Sequence, residues 1–368
     1  MRRTTPIIFP VLLLLASCVQ QRQGGKETID YVLNIAGNTS SPEYALLSGK
    51  SKVSSDGAIY ILGSPETCKL AGDSFMACDV FENVRAKRQS DGLKDFSGET
   101  FSLVLDGSFT PGSLSGAAGQ NTSLRERVVR LALSSLSDKC NVSVYDLEGN
   151  EPKSPAKVII LADPSMFDGG KFDIDTLFSL TSCGVPVVSP QDLLFESVFG
   201  GTKKYFNVGL MCDSLYASSG VYKTIFDEKV AQHKLMSAKY FENYTPADTL
   251  HRLSSFLDAY ANSGRTEPLN ALLIDDWRVD KRALLDELKL IRDFSREEFM
   301  RYGRLISPDF TIFSSSELTM KYCYLKLRQM SLFTHRIAYP QIKSYTIKPL
   351  PGGSTLEFLM IPSENVQN

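Results

Sequence analysis

Histidine is nearly missing from these 368 residues: only His233, His251 and His335 occur, and none has the spacing of a metal ligand set or a catalytic triad. His233 and His251 fall on or beside polar helix faces, which reads as surface histidine. Nucleophile-elbow, phosphate-loop and dinucleotide-binding glycine patterns are missing too, so the commonest signatures of serine hydrolases, P-loop enzymes and dinucleotide enzymes are excluded. The glycine pairs at 169–170, 200–201 and 352–353 read as turns. No surplus of one charge exists: 40 Lys and Arg stand against 42 Asp and Glu, a net charge of −2 that gives no basic face for nucleic acid. No apolar run reaches the ~18 residues of a membrane-spanning helix. Trp277 is the single tryptophan, and a lone tryptophan is more often core than stacking platform.

What is present begins with an address. Arg2 and Arg3 precede an apolar stretch from Ile7 to Leu15, and "LASC" then ends at Cys18, the pattern of a secretory signal over residues 1–17. A cysteine directly after Leu-Ala-Ser resembles the bacterial lipobox, which implies a lipoprotein diacylated at Cys18, extracytoplasmic and held to a membrane by its lipid. Six further cysteines, Cys68, Cys78, Cys140, Cys183, Cys212 and Cys323, remain in an oxidising compartment. Their spacing fits no zinc site, and Cys68 with Cys78 is the best-placed disulfide pair if one forms.

Residues 18–98 read as a lipidated tether followed by an N-terminal extension with short strand-like pieces such as "AIYILG". From Phe101 the rhythm becomes apolar run, turn, amphipathic helix. "FSLVLDGSF", "VSVYD", "KVIILAD" and "VPVVS" read as strands, with a capping box at Ser123–Glu126 opening one helix and another helix running from Asp173 to Gly184. After Gly200 and Gly201 the pattern restarts: "FNVGLMCDS", a helix through "GVYKTIFDEKV", then a helix led by Thr245, Pro246 and Asp248. "NALLIDD", a helix from Asp280, and "FTIFSSSE" with a capping box at Ser314–Glu317 follow. Strands alternating with helices imply an α/β chain with two doubly wound, mostly parallel-sheet lobes. The expected division is residues 99–205 plus 310–368 for the first lobe and 206–309 for the second.

Sites in such folds lie at the carboxyl ends of strands. There the sequence places Asp106 and Ser108, Asp163 and Ser165, Asp213 and Ser214, Asp275 and Asp276, then Ser314 to Ser316; four of five strand ends carry an aspartate. Helix capping explains any one of them, since Asp and Ser accept bonds from free helix N–H groups. Pro164 and the doubled Asp275-Asp276 exceed what a cap requires.

The strand ends resemble the aspartate/glutamate racemase superfamily. "VGLMCDSLYASSGVYKTIF" is similar to the family's strand, Thr-rich loop and Ser-led helix; "KVIILADPSM" and "ALLIDDW" fall where the family has strands ending in Ala-Cys-Asn-Thr and Gly-Cys-Thr; "FTIFSSSELTMKYCYLKLRQMSLF" is similar to its ending. The resemblance spans residues 99–345 and implies a bilobal fold with an interlobe site. The family takes an α-proton with one cysteine thiolate and returns it from another; here Asp163 and Asp275 stand at those positions. A carboxyl near pKa ~4 is a far weaker base for carbon than a thiol near ~8.5. The resemblance therefore implies a degenerate, non-catalytic member holding a small polar ligand among Asp106, Ser108, Ser165, Asp213, Ser214, Ser219, Asp276 and Ser315, without cofactor or metal. Two alternatives stand beside it: an isomerase-like enzyme using Asp163 and Asp275 as acid and base, and a solute-binding or surface-assembly lipoprotein meeting a protein partner through residues 19–97.

Overall fold

The computed structural model describes residues 26–81, 90–109, 121–201, 204–214, 216–217, 219–244, 246, 249–354 and 356–365. The signal segment and Cys18 lie outside the described residues, as do Thr245 and Asp248. Six strands form the first sheet: β1 (Ala58–Gly63), β2 (Thr100–Leu105), β5 (Ala156–Leu161), β6 (Val187–Val188), β11 (Gln341–Pro349) and β12 (Phe358–Pro362). Their order is β12-β11-β2-β1-β5-β6, parallel throughout except for the β11–β12 hairpin. Between β2 and β5 the short strands β3 (Lys139–Cys140) and β4 (Glu151–Pro152) pair with each other. The second sheet is all parallel, in the order β10-β9-β7-β8, from β7 (Asn207–Cys212), β8 (Lys239–Tyr244), β9 (Leu269–Asp275) and β10 (Ile306–Ser314). Two parallel-sheet lobes are thus the architecture.

Parallel strands covered by helices on both faces are buried without alternation. In β1, Ala58, Tyr60 and Leu62 enter one apolar cluster while Ile59 and Ile61 enter another. β7 divides likewise, Val208, Leu210 and Cys212 to one face and Met211 to the other. Each fully buried aliphatic side chain contributes about 1.5–3 kcal/mol. The chain crosses between lobes twice. The helix Pro190–Phe199 leads out of the first sheet and lays Leu194, Phe195, Val198 and Phe199 on the second; the helix Ser315–Gln329 returns and packs Cys323, Tyr324 and Leu327 on the first.

Several sequence expectations are corrected here. β1 lies at the centre of the first sheet, flanked by β2 and β5, and Val32, Leu47, Phe75 and Phe96 enter the clusters that cover it, so the described residues of 26–97 are part of that lobe and not an extension. "AIYILG" misleads because a six-residue strand buried on both faces carries no period. β10 pairs with β9 and belongs to the second lobe, which moves the expected boundary at 310 to the start of the helix at Ser315. "VSVYD" is turn, with Tyr145 90% exposed. Asn121 caps the helix Thr122–Leu136 by accepting from the Leu124 N–H at 3.1 Å, in place of Ser123. The helix Phe172–Thr181 stops before Gly184, at Ser182 in the left-handed region with φ 56°. The helix after "TPAD" begins only at Arg252. Cys68 and Cys78 are free and buried, as are Cys140, Cys212 and Cys323. Cys68 lies within, and Cys78 at the end of, one helix, Pro65–Ala77. Ten residues of helix rise ~15 Å, and a disulfide spans at most ~7 Å between Cα atoms.

Candidate functional site

Local sequence explains how the side chains arrive. Ser64-Pro65, Asp163-Pro164 and Ser189-Pro190 each follow a strand, fix the turn and open a helix with proline in its first turn. Ser64 and Ser189 cap their helices, accepting from Thr67 N and Asp192 N; Asp163 makes no such cap. Its carboxylate turns inward instead. Gly63 makes room for it, since a Cβ at position 63 would collide with Asp163 Oδ2.

Asp163 is fully buried and receives four donations. The Ser64 N–H and the Tyr216 hydroxyl make short bonds to it, the Thr67 hydroxyl donates at 2.8 Å and the Ser64 hydroxyl at 3.2 Å. Asp275 is 5% exposed and receives Tyr222 OH at 2.7 Å and Gln191 Nε2 at 2.9 Å; Gln191 Nε2 also approaches the Ala162 carbonyl at 3.3 Å. Tyr216 and Tyr222 precede and open the helix Val221–Gln232 of the second lobe, with ring centroids 6.5 Å apart and nearly perpendicular. Each carboxylate therefore takes a bond from across the cleft: Asp163 of the first lobe from Tyr216 of the second, and Asp275 of the second from Gln191, which begins the outgoing crossover helix.

Burial pushes both carboxyls above the usual aspartate range, against the hydrogen bonds that pull them down. Asp276 adds to the rise at Asp275. Burial and the neighbouring carboxylates also push the Tyr216 and Tyr222 phenols upward, so both stay protonated donors. Two hydroxyls in the same region are orphaned: Ser165 Oγ and Ser315 Oγ are buried with no hydrogen-bond partner, Ser315 leaning toward Asp275 without bonding geometry. The free space among Thr67, Gln191, Tyr216, Tyr222, Asp275 and Trp277 is about 20 Å³, enough for one water. A carbon acid does not fit beside either carboxylate.

Of the residues expected at the site, Asp163, Asp213, Asp275 and Asp276 gather at this cleft. Asp276 and Asp213 share Arg278, with Nε–Oδ1 3.0 Å to Asp276 and Nη2–Oδ2 2.7 Å to Asp213. Asp106 turns instead to Arg127, at 2.7 and 3.1 Å, and also accepts the Ser108 N–H. Ser214 is exposed beside Asp213, and Ser219 holds its own turn by donating to the Tyr216 carbonyl at 2.7 Å. These serines stabilise loops and do not face the cleft. Trp277 is half-buried: it packs against Phe75 at 6.3 Å at the edge of the first lobe's core and also lines the cleft. Among the described residues no group of three or more His, Cys, Asp or Glu could hold a metal.

Sequence reasoning missed Ser64, Thr67, Gln191, Tyr216 and Tyr222. The Ser-Pro openings at 64 and 189 were the available signal for the first three; nothing local marks where a tyrosine side chain will point.

No family model matches the chain, and no curated protein matches it. Among solved structures it is similar to glutamate racemase from Francisella tularensis subsp. tularensis SCHU S4 in complex with D-glutamate, at 11% identity over 80% of this chain and 89% of that one, with TM-score 0.43. Glutamate racemase from Thermus thermophilus in complex with β-chloro-D-alanine gives 12%, 82%, 92% and 0.43. A glutamate racemase isoform from Bacillus anthracis gives 14%, 80%, 90% and 0.42. At these identities and scores the likeness says nothing about chemistry.

Proposed function

We propose that the chain is a lipid-anchored extracytoplasmic protein that performs no racemase chemistry and whose interlobe cleft, shut by its own tyrosines, opens to a small polar ligand. The observation that carries this reading is the cross-lobe pair of hydrogen bonds, Tyr216 to Asp163 and Gln191 to Asp275. Those bonds are made by neutral donors, and a ligand bearing hydroxyl or ammonium groups competes for the same acceptors. The orphaned hydroxyls of Ser165 and Ser315 offer it further partners. The anchor rests on residues 1–18 alone. A protein partner meeting residues 19–97 uses the outer surface of the first lobe or the residues before Lys26, because Ala58–Gly63 is a central strand of the sheet and the helix Pro65–Ala77 packs on it.

Thermal unfolding against a panel of D- and L-amino acids, sugars, nucleosides and amines tests the proposal. A ligand at a hundred times its dissociation constant adds about 2.7 kcal/mol to the folded state, a shift of several degrees. A hit that vanishes in the Asp163→Asn, Asp275→Asn double variant supports the cleft. A silent panel overturns it and leaves the aspartates as a joint between lobes.

The second reading, an enzyme using Asp163 and Asp275 as acid and base, draws on their raised pKa values. It requires a turnover that either single Asn substitution abolishes.

A further inference from the structure

Four consecutive residues of β10, Thr311 to Ser314, line one pocket of about 230 Å³. Side chains alternate between the faces of a sheet, so four in a row border one space only where that space lies along the strand's edge. β10 is the outermost strand of the second sheet and pairs with β9 alone. Across the pocket stand Val80 and Phe81 of the first lobe, and the helix Ser315–Gln329 supplies Leu318 and Met320. The far wall is fixed: Asp95 accepts the Val80 N–H at 2.7 Å and the Phe81 N–H at 3.1 Å, and the Phe81 ring stacks on Tyr324 at 4.5 Å.

Alternate residues of an edge strand turn their N–H and C=O groups away from the sheet, where those groups need a partner. Lower on this edge Arg292 Nη2 is that partner, donating to the carbonyls of Pro308 at 3.3 Å and Phe310 at 2.9 Å. Beside the pocket there is none: from Thr311 to Phe313 no backbone group bonds outside the ladder with β9 among the described residues. Ile312 is only 3% exposed, so bulk water reaches this stretch poorly. Apolar walls therefore enclose unpaired main-chain donors and acceptors, the chemistry that an added strand satisfies. At the rim Lys281 Nζ holds Glu317 at 2.9 Å, while Lys321, one helical turn further on, is exposed and makes no ion pair among the described residues.

We propose that this pocket captures the carboxyl end of another polypeptide, added as a short strand beside β10. The main-chain edge calls for an extended peptide backbone, which a lipid or a sugar does not offer. Arg292 closes the edge below Thr311, so the open stretch takes the end of a chain and not a long segment. The ammonium of Lys321 selects the carboxyl end over the amino end. The last side chain enters among Val80, Phe81, Leu318 and Met320, which makes it aliphatic or aromatic. Because these walls come from both lobes, the bound end joins one lobe to the other.

Fluorescence anisotropy on the full-length chain in detergent tests this with a labelled hexapeptide library varied over its last positions, each member made as the free acid and as the amide. Saturable one-to-one binding is expected for free acids ending in Val, Leu, Ile, Phe or Met, and about tenfold weaker binding for their amides and for an Asp ending. N-methylating the last two peptide nitrogens in turn should cost about tenfold at one of them, since a strand turns alternate N–H groups to its neighbour. Sodium decanoate, an apolar carboxylate without a peptide backbone, should not compete. Lys321→Gln, on an exposed position, should bring the free acids down to the level of the amides and leave the amides unchanged. The Asp163→Asn, Asp275→Asn variant should bind the peptides like the parent, which separates this pocket from the cleft. No saturable binding by any free acid, equal binding of acid and amide, indifference to both N-methylations, or full competition by decanoate overturns the proposal.

Discussion

Asp106 and Asp163 stand at the ends of the two strands that flank β1, and they meet opposite partners. Asp106 is held by the forked guanidinium of Arg127, and at the cleft's rim Asp213 and Asp276 share Arg278. Asp163 and Asp275, at the centre, meet only hydroxyl, amide and backbone N–H donors. The rim is ordinary electrostatics, in which each anion lies against a guanidinium, two of them against the same one. The centre is a pair of buried acids supported by neutral donors, where the charged form is disfavoured. Residue type and position in the fold are the same; the partner decides which aspartate is a structural anchor and which can be contested by a ligand.

The largest expected effect removes the centre's filling. Tyr222 is 1% exposed between Asp275 and Tyr216, and Tyr222→Ala should cost about 3–5 kcal/mol in chemical denaturation. The hole it leaves is phenol-shaped and keeps the Asp275 acceptor. Added phenol should therefore raise the unfolding midpoint of the variant and leave the parent unmoved. Equal response of the two would show that the cleft is not occluded by this ring.

Among the arginine-held aspartates, Arg127→Met is next. Asp106 is 2% exposed, and stripping its cation leaves a buried charge without compensation, a cost of about 3 kcal/mol. Arg278 is 28% exposed, so Arg278→Gln should cost only about 1 kcal/mol, and added salt should shrink the difference. Urea melts at low and high ionic strength check both. If Arg127→Met proves as mild as Arg278→Gln, the depth of burial does not separate these pairs.

The sequence made some of this legible and concealed the rest for physical reasons. Strand-then-aspartate at 157–163 and 271–276 could be read because a buried parallel strand is a compact apolar run and its end is a change of residue type. The cap at Asp280 was readable from the heptad-like spacing of Leu284, Leu288 and Ile291 behind it, and the structure has its side chain accepting from the Arg282 N–H at 2.9 Å. β1 was concealed because neither length nor period separates six apolar residues in a central strand from a stray hydrophobic segment. Strand pairing is a long-range fact, so the assignment of β10 to the second lobe had no local sign. The tyrosines matter most and were least visible. Tyr216 and Tyr222 reach Asp163 and Asp275 over 53 residues of sequence in each case, a distance at which no spacing rule operates.

The smallest effect is also the sharpest test of centre against rim. Burial raises the carboxyls of Asp163 and Asp275, so the folded protein retains protons that an unfolded chain, with aspartate ionising near ~3.9, has released. Stability from these two groups is then highest below the unfolded value, falls as pH rises toward the raised folded values, and is flat beyond them. A salt-bridged aspartate does the reverse, losing stability as pH falls. The double variant Asp163→Asn, Asp275→Asn removes both titrations with little disturbance of shape. At position 163 the amide oxygen can accept from Ser64 N–H, which donates to Oδ2, while the amide nitrogen faces the Thr67 and Tyr216 hydroxyls that donate to Oδ1 and can turn to accept. The net change at neutral pH should stay under about 1 kcal/mol. Urea melts of parent and variant across a pH series should show the difference moving in the variant's favour as pH rises, with all other titrating groups cancelling. Movement in the parent's favour would mean that the carboxylates are held as anions, and the centre of the cleft would then be no different from its rim.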